Sequence, residues 1–164
     1  MSEEMDTRLV INALIPQLAN KLQTVMDIGM EEVTARQWLP LVMIGRFPYE
    51  PTLKEIAEKC GITHQSAKQL LDKLVEKKYV NEKRDEKDRR CLRYSLTEKA
   101  KEWEMANLEK NQKFIQELFA DISEEELATF CSVERRLIHK LDMFRSDPEY
   151  WKKILSLHSE EKVI

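Results

Sequence analysis

The stretch TLKEIAEKCGITHQSAKQLLDKLVEKKYV, residues 52–80, constrains the fold of this chain more than any other. Thr52 and Glu55 have the spacing of a capping box, which begins a helix. Gly61 is suited to the left-handed position at which that helix ends. Thr63 caps a second helix only two residues later. Two short helices joined by so tight a turn form a helix-turn-helix.

The second helix, expected over residues 63–78, separates apolar from polar side chains. The inward positions of the pair are filled by Ile56, Ala57, Cys60, Ile62, Ala67 and Leu70. The outward positions are Thr63, His64, Gln65, Lys68, Gln69 and Asp72. Gln and Lys can hydrogen-bond base edges in the major groove, and the hydroxyls of Thr63 and Ser66 suit a phosphate. A plain helical hairpin with a solvated polar face is the alternative.

A basic hairpin is expected directly after these helices. Residues 79–84 and 91–96 have the alternation of strands, and DEKDRR between them suits a hairpin tip. The segment carries six cations: Lys83, Arg84, Lys87, Arg89, Arg90 and Arg93. A helix-turn-helix followed by such a hairpin is a winged helix, and arginine at the tip suits a narrow minor groove. The alternative is a solvated surface turn.

Charge is distributed unevenly along the chain. The net charge of the 164 residues is −3, yet residues 52–99 hold 13 Lys/Arg against 9 Asp/Glu, a local net of +4. A local basic region of this kind is the electrostatic signature of a nucleic-acid partner. We therefore expect double-stranded DNA to be the partner of the middle of the chain.

The remaining segments predict a mainly α protein. Helices are expected over residues 7–28, 34–46, 97–120, 123–144 and 148–158, with Pro16 marking a kink or a helix start nearby. We expect a winged-helix DNA-binding lobe over residues 31–104. Residues 1–30 and 105–164 would form a helical dimerisation lobe, because these helices carry more apolar surface than a small lobe can bury alone.

At this point the sequence resembles the MarR family of bacterial transcription regulators. The likeness is carried by TARQW (34–38), TLKEIAEKCGITHQSAKQLLDKL (52–74) and DEKDRRCLRYSLTEK (85–99). Lys78 and Ala100 depart from it, since the family often has glycine at these two positions. The resemblance implies a homodimer that reads an inverted repeat, with helix 63–78 in the major groove and wing 80–96 in the minor groove.

The resemblance also assigns roles to single residues. Arg90 would enter the minor groove, and Asp88 would orient it or a neighbouring basic side chain. His64, Gln65, Lys68 and Gln69 would read bases; the full DNA-binding set is Thr63, His64, Gln65, Ser66, Lys68, Gln69, Lys73, Asp88, Arg89 and Arg90. Family members commonly respond to small aromatic ligands, and the side chains that would line such a crevice here are Trp38, Phe47, Tyr49 and Trp103.

Other functions receive less support from the residues. A cysteine-based redox sensor would have to use Cys60, Cys91 or Cys131. A metal site would have only Cys60 and His64 as ligands, whereas a zinc site needs three or four protein ligands. A winged helix that binds a protein instead of specific DNA remains an alternative.

No phosphate loop, nucleophile elbow or HExxH is present, so neither an enzyme nor a cofactor is expected. The absence of a signal peptide or a long apolar run leads us to expect a soluble cytoplasmic protein.

Overall fold

The computed structural model describes residues 6–156 of the chain. In this part the chain forms seven helices and two strands: α1 (Thr7–Gly29), α2 (Ala35–Gly45), α3 (Leu53–Cys60), α4 (His64–Glu76), β1 (Val80–Arg84), β2 (Leu92–Leu96), α5 (Glu98–Leu118), α6 (Glu124–Ser146) and α7 (Pro148–Ser156). The predicted mainly α winged helix is confirmed. The last helix was expected to end at residue 158, and this expected end lies outside the described residues.

The chain divides into two compact units, one up to Leu108 and one from Glu109 onward. The first unit contains the winged helix: α2, α3 and α4 contact one another, and β1 and β2 pair antiparallel with Val80 opposite Leu96 and Arg84 opposite Leu92. In the second unit α6 contacts α7. The expected division into a DNA-binding and a dimerisation lobe concerns an assembly of two chains and stays a prediction.

The helix-turn-helix is fixed by a left-handed residue at the end of each helix. Gly61 has a φ of 68°, and the amide of Ile62 donates to the carbonyl of Ala57 across it at 3.0 Å. Lys78 has a φ of 63° and closes α4 in the same way, with the amide of Tyr79 donating to Leu74 at 2.9 Å. This conformation costs a side-chain-bearing residue about 1 kcal/mol relative to glycine, so the lysine at this position is held there by its surroundings.

Helix beginnings follow the predicted caps closely. Thr52 accepts from the Glu55 amide and the Glu55 carboxylate accepts from the Thr52 amide, and Ser123 with Glu126 repeats this capping box at α6. Helix α4 ends at Glu76, two residues before the predicted end, because the left-handed Lys78 terminates it. The expectation of a helix start near Pro16 was wrong, since α1 runs through this residue from Thr7 to Gly29.

The core of the first unit lies beneath α4. It is formed by Val33, Leu41, Ile44, Ile56, Leu71, Leu74, Tyr79, Val80, Tyr94 and Ala100. Two alanines, Ala57 and Ala67, are 2% and 0% exposed where α3 meets α4. Ala100 belongs to the first turn of α5 rather than to a turn outside the helix, and its side chain is buried.

The C-terminal end of α4 is connected to the beginning of α2 through a polar network. Gln37 is only 3% exposed, and its side-chain oxygen accepts from the Thr34 amide at 3.2 Å and from the Lys77 ammonium at 3.1 Å. The Lys77 ammonium also donates to the Glu32 carbonyl at 2.6 Å. These contacts set the position of α4 relative to α2.

Two helices expose unusually many apolar side chains. No residue of α1 or α6 is buried. On α1 the large apolar side chains that are exposed are Leu9, Ile11, Leu14, Ile15, Leu18, Val25 and Ile28, and on α6 they are Phe130, Val133, Leu137, Ile138, Leu141 and Met143. Despite this surface, none of the helices between residues 6 and 156 has the length and apolar character that a bilayer crossing requires.

Two core tyrosines give a matched test of this packing. Tyr79 donates its hydroxyl to the Glu32 carboxylate at 2.6 Å, whereas the buried Tyr94 hydroxyl has no hydrogen-bond partner among the described protein atoms. Tyr79→Phe should lower the free energy of unfolding by about 1 kcal/mol, and Tyr94→Phe should leave it unchanged or raise it, because only the first removes a hydrogen bond. Urea unfolding measures both, and equal losses would contradict this assignment.

Candidate nucleic-acid interface

The outer face of α4 is presented to solvent as a polar surface. Its core-facing residues are buried, while Thr63, His64, Gln65, Ser66, Gln69 and Lys73 are exposed. Thr63 accepts from the Ser66 amide at 3.1 Å and donates its hydroxyl to the Ser66 hydroxyl at 2.9 Å. Backbone amides and two hydroxyls therefore meet at the N-terminal end of the helix, where an anion is favoured by the helix dipole.

Lys68 differs from the other residues of this face because it has an ionic partner on the same helix. Its ammonium pairs with the Asp72 carboxylate one turn later, and this hydrogen bond raises the pKa of Lys68 above its ordinary value. The side chain is only partly exposed. The Lys68 side chain therefore lies along the helix toward Asp72. Its ammonium must separate from the Asp72 carboxylate before all three of its N–H donors are available to a base.

The wing tip is a compact turn built by two aspartates. Asp85 accepts from the amides of Lys87 and Asp88 at 2.8 and 2.9 Å, and Asp88 accepts from the Arg90 amide at 3.0 Å. Asp88 was expected to orient Arg90 or a neighbouring basic side chain, and in the structure its carboxylate accepts from the Arg90 backbone amide. The side chains of Lys87, Arg89 and Arg90 are exposed at this tip.

Arg93 anchors the wing to the segment between α2 and α3. Its guanidinium pairs with the Asp85 carboxylate and donates to the Glu50 carbonyl at 2.8 Å. The Tyr94 amide adds a hydrogen bond to the Pro51 carbonyl at 3.0 Å. The Asp85 and Arg93 side chains are only 13% and 32% exposed. We call this set of contacts the wing anchor.

The wing anchor changes the predicted distribution of positive charge. Arg93 and Lys83 were both counted among the six cations of the predicted wing. Arg93 is engaged with Asp85, and the Lys83 ammonium pairs with the Glu50 carboxylate at 2.6 Å. Arg84 donates to the Arg89 carbonyl at 3.1 Å. The cations left at the tip are Lys87, Arg89 and Arg90, so the wing presents its charge at one end only.

Asp85 and Glu50 were missed as functional residues by sequence reasoning. The spacing Asp85-x-x-Asp88 was a usable signal, because an aspartate that accepts amides two and three residues later is typical of tight turns. The hydrogen bond from Arg93 to the Glu50 carbonyl could not be predicted from the sequence, since the two residues are 43 positions apart. Backbone amides and then the Arg93 guanidinium lower the pKa of Asp85 to about 2 from an ordinary 3.8.

The four aromatic residues expected to line a ligand crevice fall into two pairs. Trp38 and Trp103 line one cavity of about 20 Å³, together with Leu96, Ala100 and neighbours. Phe47 and Tyr49 do not line it and contact each other with ring centroids 5.6 Å apart. A cavity of this size holds a single water molecule, so an aromatic ligand would require Trp38 and Trp103 to separate.

The thiols lie in surroundings that disfavour the reactive thiolate at two of three positions. Burial raises the pKa of Cys60 to about 11, and a hydrogen bond to the Asp88 carboxylate raises the pKa of Cys91. Cys131 is exposed on α6. Among the described residues no three His, Cys, Asp or Glu side chains are grouped to hold a metal ion.

Asp85→Asn tests the wing anchor. The amides of Lys87 and Asp88 should exchange with solvent severalfold faster, because their acceptor loses its charge and its pairing with Arg93. In the parent protein the same acceleration should begin as the pH falls from about 4 toward 2, since a depressed carboxyl pKa contributes stability above the ordinary value and loses it on protonation.

Glu86→Gln is the matched control for this substitution, because it removes the same charge from the adjacent exposed position. Hydrogen exchange followed by NMR reports each amide separately. Equal acceleration in both variants would show that net charge rather than the wing anchor holds the tip.

Comparison with known proteins finds a family model and relatives that are similar to this chain. A MarR family model matches residues 32–90, which span the helix-turn-helix and the start of the wing. The transcriptional repressor MprA of Escherichia coli is 23% identical over 141 residues, which cover 86% of this chain and 79% of MprA.

Solved structures share the fold over most of their length. A MarR protein from Peptoclostridium difficile superimposes with a TM-score of 0.74 at 18% identity, covering 94% of this chain and 96% of that one. FabT of Streptococcus pneumoniae, solved in complex with DNA, gives 0.63 at 19% identity, covering 84% and 99%. PcaV of Streptomyces coelicolor, solved with its natural ligand, gives 0.66 at 19% identity, covering 82% and 92%. The helix-turn-helix and the start of the wing are thus similar in sequence to the MarR family, and the chain shares its fold with these solved structures.

Proposed function

We propose that the protein is a homodimeric, effector-responsive repressor that reads an inverted-repeat operator. One observation carries this proposal. The polar face of α4 and the cations at the wing tip are both exposed, while the apolar faces of α4 and of the wing strands pack into one core. Because its partner would be genomic DNA, the proposal places the protein in the cytoplasm.

In this proposal α4 enters the major groove. Gln65 and Gln69 suit bidentate contact with adenine, and Lys68 suits guanine once it leaves Asp72. His64 would lie beside them. Thr63, Ser66 and Lys73 would bind phosphates and so fix the register of the helix on the duplex.

The wing would place Arg90, with Arg89 beside it, in the adjacent minor groove. A narrow minor groove has an enhanced negative potential that attracts arginine. The role proposed for Asp88 is to hold the backbone of Arg90 through the 3.0 Å hydrogen bond to its amide. The wing anchor supports this role, because an arginine delivered by a fixed hairpin loses less conformational entropy on binding.

A second copy of the chain is proposed to cover the exposed apolar side chains of α1 and α6. Leu14 and Leu18 of α1 are 51% and 56% exposed, and Ile138 and Leu141 of α6 are 52% and 60% exposed. Apolar surface in such continuous helical stripes is typical of a homodimer interface. Residues 1–30 and 105–164 would then form the dimerisation lobe, and residues 31–104 the DNA-binding lobe.

Two copies related by a two-fold axis would read two half-sites about 34 Å apart, one helical turn of DNA. Repression is supported by MprA, which is a transcriptional repressor. Effector response is supported by PcaV, which was solved with a natural ligand. A small aromatic effector that opened the cavity between Trp38 and Trp103 would shift the two copies between DNA-fitting and non-fitting states.

Arg90→Ala tests the proposed minor-groove contact. It should weaken binding to every duplex and reduce the slope of log affinity against log salt by about one unit, because one phosphate-region cation is lost. Lys113→Ala removes an exposed cation of the second unit and serves as the control. Fluorescence anisotropy at several salt concentrations gives both slopes, and an unchanged slope for Arg90→Ala would rule out the proposed contact.

A further inference from the structure

The outer face of α4 carries one carboxylate beside its amide and basic side chains. Gln65 is followed after three, four and seven positions by Lys68, Gln69 and Asp72, so these four side chains lie along one stripe of the helix. Asp72 is exposed at the C-terminal end of this stripe. An acid at this position opposes the attraction between α4 and the phosphates of any duplex. A contact with a base, rather than with the backbone, would account for it.

In the free protein Asp72 is paired with Lys68. The Lys68 ammonium donates to the Asp72 carboxylate one helical turn away, and the two side chains are 43% and 52% exposed. Both charged groups can therefore be reached from solvent. An exposed pair with this spacing changes the stability of a helix by only about a factor of two. The pair can thus be exchanged for better partners at little cost.

The major groove offers a different partner to each member of the pair. Guanine presents two acceptors, N7 and O6, which suit the Lys68 ammonium, and cytosine presents its N4 amino group, which suits the Asp72 carboxylate. Guanine and thymine present no donor in the major groove, and adenine presents an acceptor next to its donor. Cytosine is therefore the base that a carboxylate on this stripe matches best.

We propose that Asp72 is a specificity-determining residue that reads cytosine, and that Lys68 and Asp72 separate to bind a guanine and a nearby cytosine. This inference rests on the proposed function, because it requires α4 to lie in the major groove. Four residues of an α-helix rise about 6 Å, and successive base pairs are about 3.4 Å apart. The cytosine should therefore lie within two base pairs of the guanine.

The exchange of partners is favourable only on a matching sequence. A duplex that offers both bases replaces one exposed ion pair by two charge-assisted contacts. On any other duplex Lys68 can leave Asp72 only for a phosphate or a single base, and the carboxylate is then left among acceptors without a donor. The cost of the unpaired carboxylate discriminates against such sequences.

Selection of binding sites from a random duplex pool, with the parent protein and with Asp72→Asn, tests this role. Asparagine pairs with adenine rather than cytosine, so one position in each half-site should change from cytosine to adenine while the others keep their preference. Fluorescence anisotropy with the two corresponding duplexes measures the change. The parent protein should prefer the cytosine duplex about tenfold, and Asp72→Asn should bind both duplexes equally or prefer the adenine duplex.

Glu82→Gln is the matched control for this substitution. Glu82 is exposed on β1, and its charge, after the hydrogen bond to Asp72, also raises the pKa of Lys68. The control therefore removes one negative charge near Lys68 without altering the stripe on α4, and it should leave every base preference unchanged. Lys68→Gln should change the preference at the guanine, and it so identifies the position from which the distance to the cytosine is counted.

Three results would overturn the role of Asp72. They are an unchanged base preference in Asp72→Asn, the same change in Glu82→Gln, and a change located more than two base pairs from the position altered by Lys68→Gln. If the parent protein itself enriches no sequence, the proposed function is wrong and the reading of cytosine is wrong with it. The parent protein alone thus distinguishes failure of the proposed function from failure of this inference.

Discussion

The packing of α3 against α4, in helices where Ala57 and Ala67 are buried, is the constraint on which the rest of the winged helix depends. Both alanines are almost fully buried, and a larger side chain at either position would push the two helices apart. This packing lets Ile56, Leu71 and Leu74 reach one core with Tyr79, which precedes β1, and with Tyr94 of β2. Because the inner face of α4 is committed to this core, its outer face is left to polar residues. The surface proposed to read DNA is thus a consequence of the packing behind it.

The ionic contacts of the wing divide its cations between two tasks. Lys83 and Arg93 pair with Glu50 and Asp85 and hold the hairpin against the segment before α3. The cations of the tip remain exposed. A wing whose six basic residues all faced outward would carry more charge, but it would be attached to the core only by its apolar base. With the observed contacts the wing attracts DNA less strongly, but its tip has a defined position. An arginine that enters a narrow minor groove requires such a defined position.

Local rules explain which parts of the fold could be predicted from the sequence. The caps at Thr52, Thr63 and Ser123 and the left-handed Gly61 depend on residues within one helical turn, so their patterns are visible in the chain itself. The hydrogen bond from Arg93 to the Glu50 carbonyl joins residues that are 43 positions apart in sequence. Gln37 illustrates the difference, because its capping role is local, while its bond to Lys77 spans 40 positions and carries no sequence signal. The roles of single residues on DNA were predicted from resemblance and stay predictions.

Selection of binding sites from a random duplex DNA pool, repeated at two salt concentrations, is the most direct test of the central claim. The claim is that two copies of this winged helix read DNA with α4 in successive major grooves. It predicts enrichment of one inverted repeat whose half-sites are centred about 10 base pairs apart, at both salt concentrations. The contrary result would be no enriched sequence, with only weak binding that disappears at the higher salt concentration. That result would contradict a sequence-reading dimer and would favour a winged helix whose partner is a protein.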